Sequence, residues 1–599
     1  MFALGKQEKP GSNKLADKIS AHPLITAVIF SSLVFLAAII FCDPKYETND
    51  DFWMDAVLSG ALTGQYDPHL LFSNILLGYM LKGLYTLIPA VSFYFVMLEA
   101  AGLLSMIITV WLILRHNKAG IGLLASFILV ACFSNDLFIL VQFTKTAAAV
   151  MTAGGLLFLE GITDPGLKHR KTAAAAGGLV FLFGSMIRLE CIYSIILFLF
   201  IMFISLIRKG TFKDTAIRFV LCIVLICTAF GLQLVNNVIW KADPAYTQFI
   251  ELNSYRVPVS DVKHPEYEKY GPALEKLGID KTDYVMLDTW NFTDLDVFTP
   301  EKLSGLSGIF KDYNSPSSAD ISRTVNSFIG KTYWFYAATL GLVLISLLYA
   351  ISSKKSLFVI ISSILGCAAI LLLFSYLYRT VYRVEYGVFF AAFASIAVSI
   401  GKEPRKISIS REIYSFAVIA GIITLMIYQA GTYIPDNSYK TLDDVKYFDH
   451  IYEVFGCDGY VFPKYRVTVS ARRYHEKILS RMENSTGDFY LFDPLTFGLI
   501  NYDYKPWLRM EKGYFADNFY TLGGTLMMQY PGESYVYEHN GIDPVNPYRS
   551  LVKDNIYVID NLYYNEKLAY IRKHYYPNAQ MKLVGEESSC KIWKFYIPE

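Results

Sequence analysis

Long apolar stretches separated by short basic ones fill about the first 430 residues of this chain. The first runs from Pro23 to Cys42, and others follow at about 92–114, 119–134, 137–160, 172–188, 190–207, 215–240, 332–351, 356–378, 384–400 and 412–432. An α-helix rises about 1.5 Å per residue, so about 20 apolar residues cross a hydrocarbon core of roughly 30 Å. The pattern predicts a polytopic α-helical membrane protein with about 11 transmembrane helices. Lys6, Lys9, Lys14 and Lys18 precede the first stretch. That stretch is longer than the core of about 7–15 residues in a signal peptide, and no small-residue cleavage pattern follows it. It reads as a retained span.

The basic residues set the expected topology. Arg115 and Lys118, Lys168 with Arg170 and Lys171, Arg208 with Lys209 and Lys213, Lys354 with Lys355, and Lys402 through Arg411 all fall between apolar stretches. Excess Lys and Arg mark cytoplasmic loops. One further apolar segment, 69–89, would reverse every later loop if it crossed the membrane. It carries Asn74 and Lys82 and closes on a proline, so it is expected to lie on the outer surface with its apolar face in the interface. The N-terminus is then cytoplasmic in a multi-pass cell-membrane protein. Outer loops are expected at 43–91 and 241–331, within a membrane domain spanning 1–432.

Beyond residue 432 the period changes. Segments 488–493 and 555–560 read as buried strands, 561–575 as a helix, and 591–597 as an alternating strand. Residues 433–599 are expected to form an extracytoplasmic α/β domain. Cys457 and Cys590 fall in this region, where they pair if it is oxidising or stay as buried thiols.

Composition narrows the function. Apolar residues are 54% of the chain, charged residues 18%, and mean hydropathy is +0.34. The net charge of +1 gives no basic field for nucleic acid. No Walker A loop, HExxH, paired CxxC or GxSxG is present, so ATP, zinc or serine-nucleophile chemistry has no motif behind it. No metal-ligand spacing stands out either.

Chemistry is carried instead by ionisable groups at the outer ends of the apolar stretches. Asp50 and Asp51 follow the first span, between Thr48-Asn49 and Phe52-Trp53-Met54. A carboxylate there can take a proton from a hydroxyl arriving from outside; the alternative is a solvated loop. Arg188 and Glu190 separate two short stretches, as a headgroup-level cation or as a pair clamping a hairpin. Arg379 and Arg383 stand four apart beside Glu385, so on a helix both guanidinium groups share one face and suit a phosphate. Snorkelling anchors are the alternative. Lys145, near an outer helix end, can meet an anionic headgroup. Glu99 reads as a packed acid.

These elements together resemble the GT-C class of integral-membrane glycosyltransferases. The shared features are a first span, the acidic motif Asn49-Asp50-Asp51, a surface segment with Asp67-Pro68-His69, many later spans, outward arginines and a C-terminal outer domain. The resemblance covers about residues 20–430. It implies transfer of a sugar from a polyprenyl-phosphate-linked donor to a glycan, lipid or protein acceptor in contact with membrane lipid; no cofactor is expected, and the resemblance leaves a divalent metal open. It implies that Asp50 or Asp51 is the base, that Arg379, Arg383, Arg188 and Lys145 bind the donor phosphate, and that Glu190, Glu385 and His69 orient the site. A flippase for a lipid-linked glycan and a non-enzymatic envelope scaffold are the rival classes. Transporter folds commonly carry internal repeats, and none is detectable here.

Overall fold

The computed structural model describes residues 19, 21–42, 44–207, 211–260, 262, 264–315, 320–330, 337–350, 354–377, 381–399, 475–500, 504–524, 527–588 and 590–599. The span expected at 412–432, Arg379, Cys457 and the basic cluster at 402–411 lie outside these residues. The described part is mostly helical, with a sheet near the C-terminus.

In chain order the first elements are α1 (Pro23–Phe41), β1 (Lys45–Tyr46), α2 (Asn49–Ser59), α3 (Ile75–Leu87), α4 (Phe93–His116), α5 (Ala119–Phe138), β2 (Leu140–Val141), α6 (Phe143–Thr163), α7 (Arg170–Ile187), α8 (Cys191–Leu206) and α9 (Phe212–Trp240). Helices α10 (Pro244–Ser260), α11 (Tyr267–Glu275), α12 (Lys281–Asp288), α13 (Pro300–Tyr313) and α14 (Asp320–Gly330) follow. Then come α15 (Ala337–Ala350), α16 (Lys354–Tyr376) and α17 (Tyr382–Val398).

Six of these, α1, α4, α5, α6, α9 and α16, are long and apolar enough to cross a membrane. Helices α8 and α15 are apolar but shorter. Only 6% of the apolar window of α9 is buried within the protein, so lipid is the natural neighbour of its exposed Phe, Val and Leu side chains. Helices α6 and α7 pack backbone to backbone: a Cβ added at Gly154 or Gly177 would overlap the facing main chain. Small residues allow this approach where van der Waals packing, rather than the hydrophobic effect, holds helices together.

Side-chain bonds fix which helix ends lie together. Tyr94 at the start of α4, Phe143 at the start of α6, Tyr382 at the start of α17 and Asp136 at the close of α5 gather around the acid pair. At the other end Arg115 reaches Glu160 and Asp164, and Asn117 and Tyr349 both donate to the Ala397 carbonyl. The basic residues Arg115 and Arg170 therefore cap the end opposite Asp50 and Asp51. Helix α3 has 13 residues, about 20 Å at the helical rise, too short to span. Asn74 at its start bonds Met186 at the acid-pair end, and after a five-residue connection (88–92) α4 sets out from that same end. Segment 69–89 thus begins and ends at the same end of the helix bundle.

The C-terminal elements are α18 (Glu476–Glu483), β3 (Phe489–Phe492), α19 (Pro494–Ile500), α20 (Tyr514–Asn518), β4 (Phe519–Thr521), α21 (Pro531–His539), β5 (Ile556–Ile559), α22 (Tyr564–His574), β6 (Gln580–Glu587) and β7 (Cys590–Tyr596). They build a five-stranded mixed sheet of order β4-β3-β5-β7-β6. Strand β3 runs parallel to β4 and β5, and β7 runs antiparallel to β5 and β6. The strands expected at 488–493, 555–560 and 591–597 are β3, β5 and β7, and the helix expected at 561–575 is α22.

Aromatic packing and buried hydrogen bonds join the sheet to the rest. Phe52 and Trp53 of α2 pack among Phe497, Phe515 and Tyr520. From segment 241–330, Asp294 accepts from Tyr570 and Tyr575, and Asp283 accepts from Lys573 and pairs with His574. Inside the sheet region Lys567 is fully buried, 2.7 Å from both Asp493 and Asp560 at the ends of β3 and β5. Asn291 of segment 241–330 also donates to Asp493.

Two outcomes follow. Reporter fusions at residue 117 should read the opposite side of the membrane from fusions at 60, 290 and 560; a shared side would break the helix-end assignment. Lys567→Met should cost about 3–5 kcal/mol, because two carboxylates stay buried without their cation. Thermal unfolding should show this loss, and an unshifted transition would contradict it.

Candidate functional site

A two-residue parallel ladder sets up the site. Lys45 and Tyr46 pair with Leu140 and Val141, and the main chain extends this through Lys45 to Ile139 and Glu47 to Val141. That register lays the segment before the acid pair against the segment that opens α6. Glu47 and Asp136 then flank the fully buried Lys145: Asp136 lies 2.7 Å from its ammonium and Glu47 is in direct contact. Tyr382 donates to the other Asp136 oxygen at 2.9 Å. Burial pushes the Glu47 carboxyl up, and Lys145 opposes that rise.

Helix α2 begins one residue after Thr48, with Asp50 and Asp51 in its first turn, where a helix dipole favours acids. It closes at Gly60, which takes the left-handed conformation (φ 78°) that glycine adopts at little cost. Asp51 is fully buried. Its Oδ1 accepts from the Tyr94 hydroxyl at 2.9 Å and from the Phe143 backbone N–H at 3.0 Å. It therefore satisfies one of the free donors at the start of α6, whose Gln142 cap accepts from Thr144 and Lys145. Burial raises its proton affinity well above that of an ordinary aspartate; the Tyr94 and Phe143 bonds act against this, and neighbouring Asp50 adds to it.

Asp50 is placed differently. Its side chain is 17% exposed, and its Oδ2 lies 3.8 Å from the guanidinium of Arg383, itself 32% exposed. The adjacent acids thus divide into a buried anchor and an accessible carboxylate beside a cation. Asp55, one turn further along α2, receives Tyr46 at 3.0 Å, Tyr85 at 2.9 Å and Ser92 at 3.3 Å. Burial raises its pKa to about 6, against the pull of those hydroxyls.

The other expected residues divide as well. The Arg188 Nε lies 2.9 Å from Glu190, and its guanidinium stands over the rings of Phe72 and Phe143 at 4.8 and 5.4 Å. Phe143 thus links Arg188 to the anchor of Asp51. Lys145 has two carboxylate partners and no exposed surface, so it is not offered to a phosphate. Glu385 is buried in the first turn of α17. Arg379 lies outside the described residues. His69 stands apart in a junction with Asp67 (2.6 Å), stacked 3.6 Å from Tyr246. Asp67 also receives Tyr246 and Tyr530. Burial pushes its carboxyl up, but the bonds from His69 and the two tyrosines outweigh this and hold it below the usual range.

Glu47, Asp136, Asp55, Tyr94 and Tyr382 were not singled out from sequence. Asp55 carried a signal, being four residues after Asp51 on one helical face. The tyrosines carried none. Among the described residues no three His, Cys, Asp or Glu side chains converge as a metal-ligand set. No family model matches the chain, and neither a curated protein nor a solved structure matches it.

Asp55 yields a pH outcome. Its folded pKa lies above the unfolded value, so the native state holds more protons and its contribution to stability is full below about pH 4. That contribution is lost as pH rises through about 6. Asp55→Asn should flatten the stability profile between about pH 4 and 6, read by thermal unfolding across that range. An unchanged profile would assign the dependence elsewhere.

Proposed function

We propose that this chain is a membrane glycosyltransferase of the GT-C kind, with about eleven spans. It moves a sugar from a polyprenyl-phosphate-linked donor to an acceptor on the face of the membrane that carries the C-terminal α/β region. That face is extracytoplasmic in this reading, with the N-terminus in the cytoplasm. The observation that carries the proposal is the approach of Asp50 to Arg383. A part-exposed acid from the first loop meets a part-exposed guanidinium from the start of α17, at the helix ends where a lipid phosphate resides.

In this reading Asp50 accepts the acceptor's hydroxyl proton as that oxygen bonds to the anomeric carbon. The carbon–oxygen bond to the carrier phosphate breaks, and its electron pair stays on the phosphate. Arg383, with Arg188 and Arg379, stabilises that charge. Asp51 positions Asp50 by anchoring α2 to α6. Lys145 holds Glu47 and Asp136 rather than the donor, and Glu190 orients Arg188.

Asp50→Asn should lower transfer by about 10²–10⁴-fold while folded protein is unchanged. The assay is label transfer from the lipid-linked sugar pool of native membranes to the endogenous acceptor. Arg383→Ala should weaken donor use, with Lys a partial rescue because it lacks the planar fork. Wild-type transfer by Asp50→Asn would remove the base. If transfer is absent from the wild type as well, a carrier or scaffold role takes its place.

A further inference from the structure

The junction between the first loop and the C-terminal region holds a groove of about 940 Å³, lined by Tyr66, Thr86, Pro89, Leu508, Arg509 and Lys512, among others. We propose that this groove binds the headgroup of an anionic phospholipid, and that segment 505–512 is where the C-terminal region rests on the bilayer. The proposal needs the membrane reading but not the transfer chemistry.

The level comes first. Pro89 and Ala90 lie a few residues before α4 begins at Phe93. The ring of Trp507 lies 6.4 Å from that of Phe95, the third residue of the same long apolar helix. Segment 505–512 is therefore held where a span enters the bilayer, the depth at which tryptophan is enriched.

The surface there has the character of an interface. Leu87 is 76% exposed, Leu508 61%, Ile88 53% and Trp507 37%. Such a set is unfavourable against water alone but suits the boundary between headgroups and acyl chains.

Charge selects the ligand. The Lys512 ammonium stands 3.8 Å from the centre of the Tyr66 ring, and the Lys505 ammonium 5.4 Å from that of Trp507. Among the described residues neither makes an ion pair. Arg509 holds the groove's wall: its guanidinium donates to the Ser59 and Pro89 carbonyls and the Tyr66 hydroxyl. Glu511 is the one carboxylate in the lining, against the two cations Arg509 and Lys512, and Lys505 lies just outside it beside Trp507. Each lysine near an anionic surface strengthens association about fivefold.

The test uses the full chain in nanodiscs of phosphatidylcholine with or without phosphatidylglycerol, with retained lipid counted by native mass spectrometry. Wild type should retain phosphatidylglycerol in preference. Lys512→Gln should reduce that preference about fivefold, and the Lys505→Gln/Lys512→Gln pair about twentyfold. Lys168→Gln/Lys171→Gln, at the opposite end, should leave it unchanged. Size exclusion monitors folding, and the single Lys512→Gln variant serves if the pair aggregates. Equal retention by wild type and the double variant overturns the proposal, as does an equal loss in the opposite-end control. Displacement of the lipid by millimolar inorganic phosphate, with no dependence on acyl chains, would identify a soluble phosphate as the ligand and overturn the lipid assignment.

Discussion

Lys145, enclosed with no exposed surface between Glu47 and Asp136, is the contact on which the rest of this structure turns. An ammonium so deep is stable only with carboxylates around it, and each carboxylate only with the ammonium. Its two partners come from chain segments about 90 residues apart, one before α2 and one closing α5. Satisfying all three fixes the register of β1 on β2. That register carries the start of α2 to the start of α6, where Asp51 caps the helix through Phe143. Phe52 and Trp53, on the next positions of α2, then hold the C-terminal sheet in place.

The same geometry separates two side chains that the sequence presents as equals. Asp51 is buried and bonded on one oxygen to two donors, so its replacement would be felt as packing and capping. Asp50 keeps a solvent-facing edge and a guanidinium neighbour, the combination a proton acceptor beside an anionic donor requires. Arg188 joins this arrangement through the shared ring of Phe143, while His69 belongs to a junction of Asp67, Tyr246 and Tyr530 that ties the loops together.

Much of the architecture was legible because its signals are one-dimensional. Apolar length predicted the membrane helices, short apolar runs predicted β3 and β5, alternation predicted β7, and the basic residues Arg115 and Arg170 lie together at the end opposite the acid pair. The surface placement expected for segment 69–89 rested on charge parity, and the helix within it, α3, has 13 residues. Six helices in the described residues reach spanning length and hydropathy. Another, the 16-residue α8, is shorter than its apolar stretch suggested. The pairing of charges was not legible. Lys145 read as open to a headgroup because nothing in its own neighbourhood shows that Glu47 and Asp136 converge on it. Tyr94 and Tyr382 have no distinguishing pattern, since their role depends on which helix starts meet.

The central claim is that Asp50 reacts and Arg383 holds the donor. Native mass spectrometry of protein purified from its own host's membranes tests it most directly, by looking for a retained glycosylated polyprenyl phosphate. The account predicts that Asp50→Asn accumulates this lipid, since binding survives and turnover stops, and that adding Arg383→Ala removes it. If Asp50→Asn carries no such lipid, or if it persists undiminished without Arg383, the pairing of base and phosphate site is wrong.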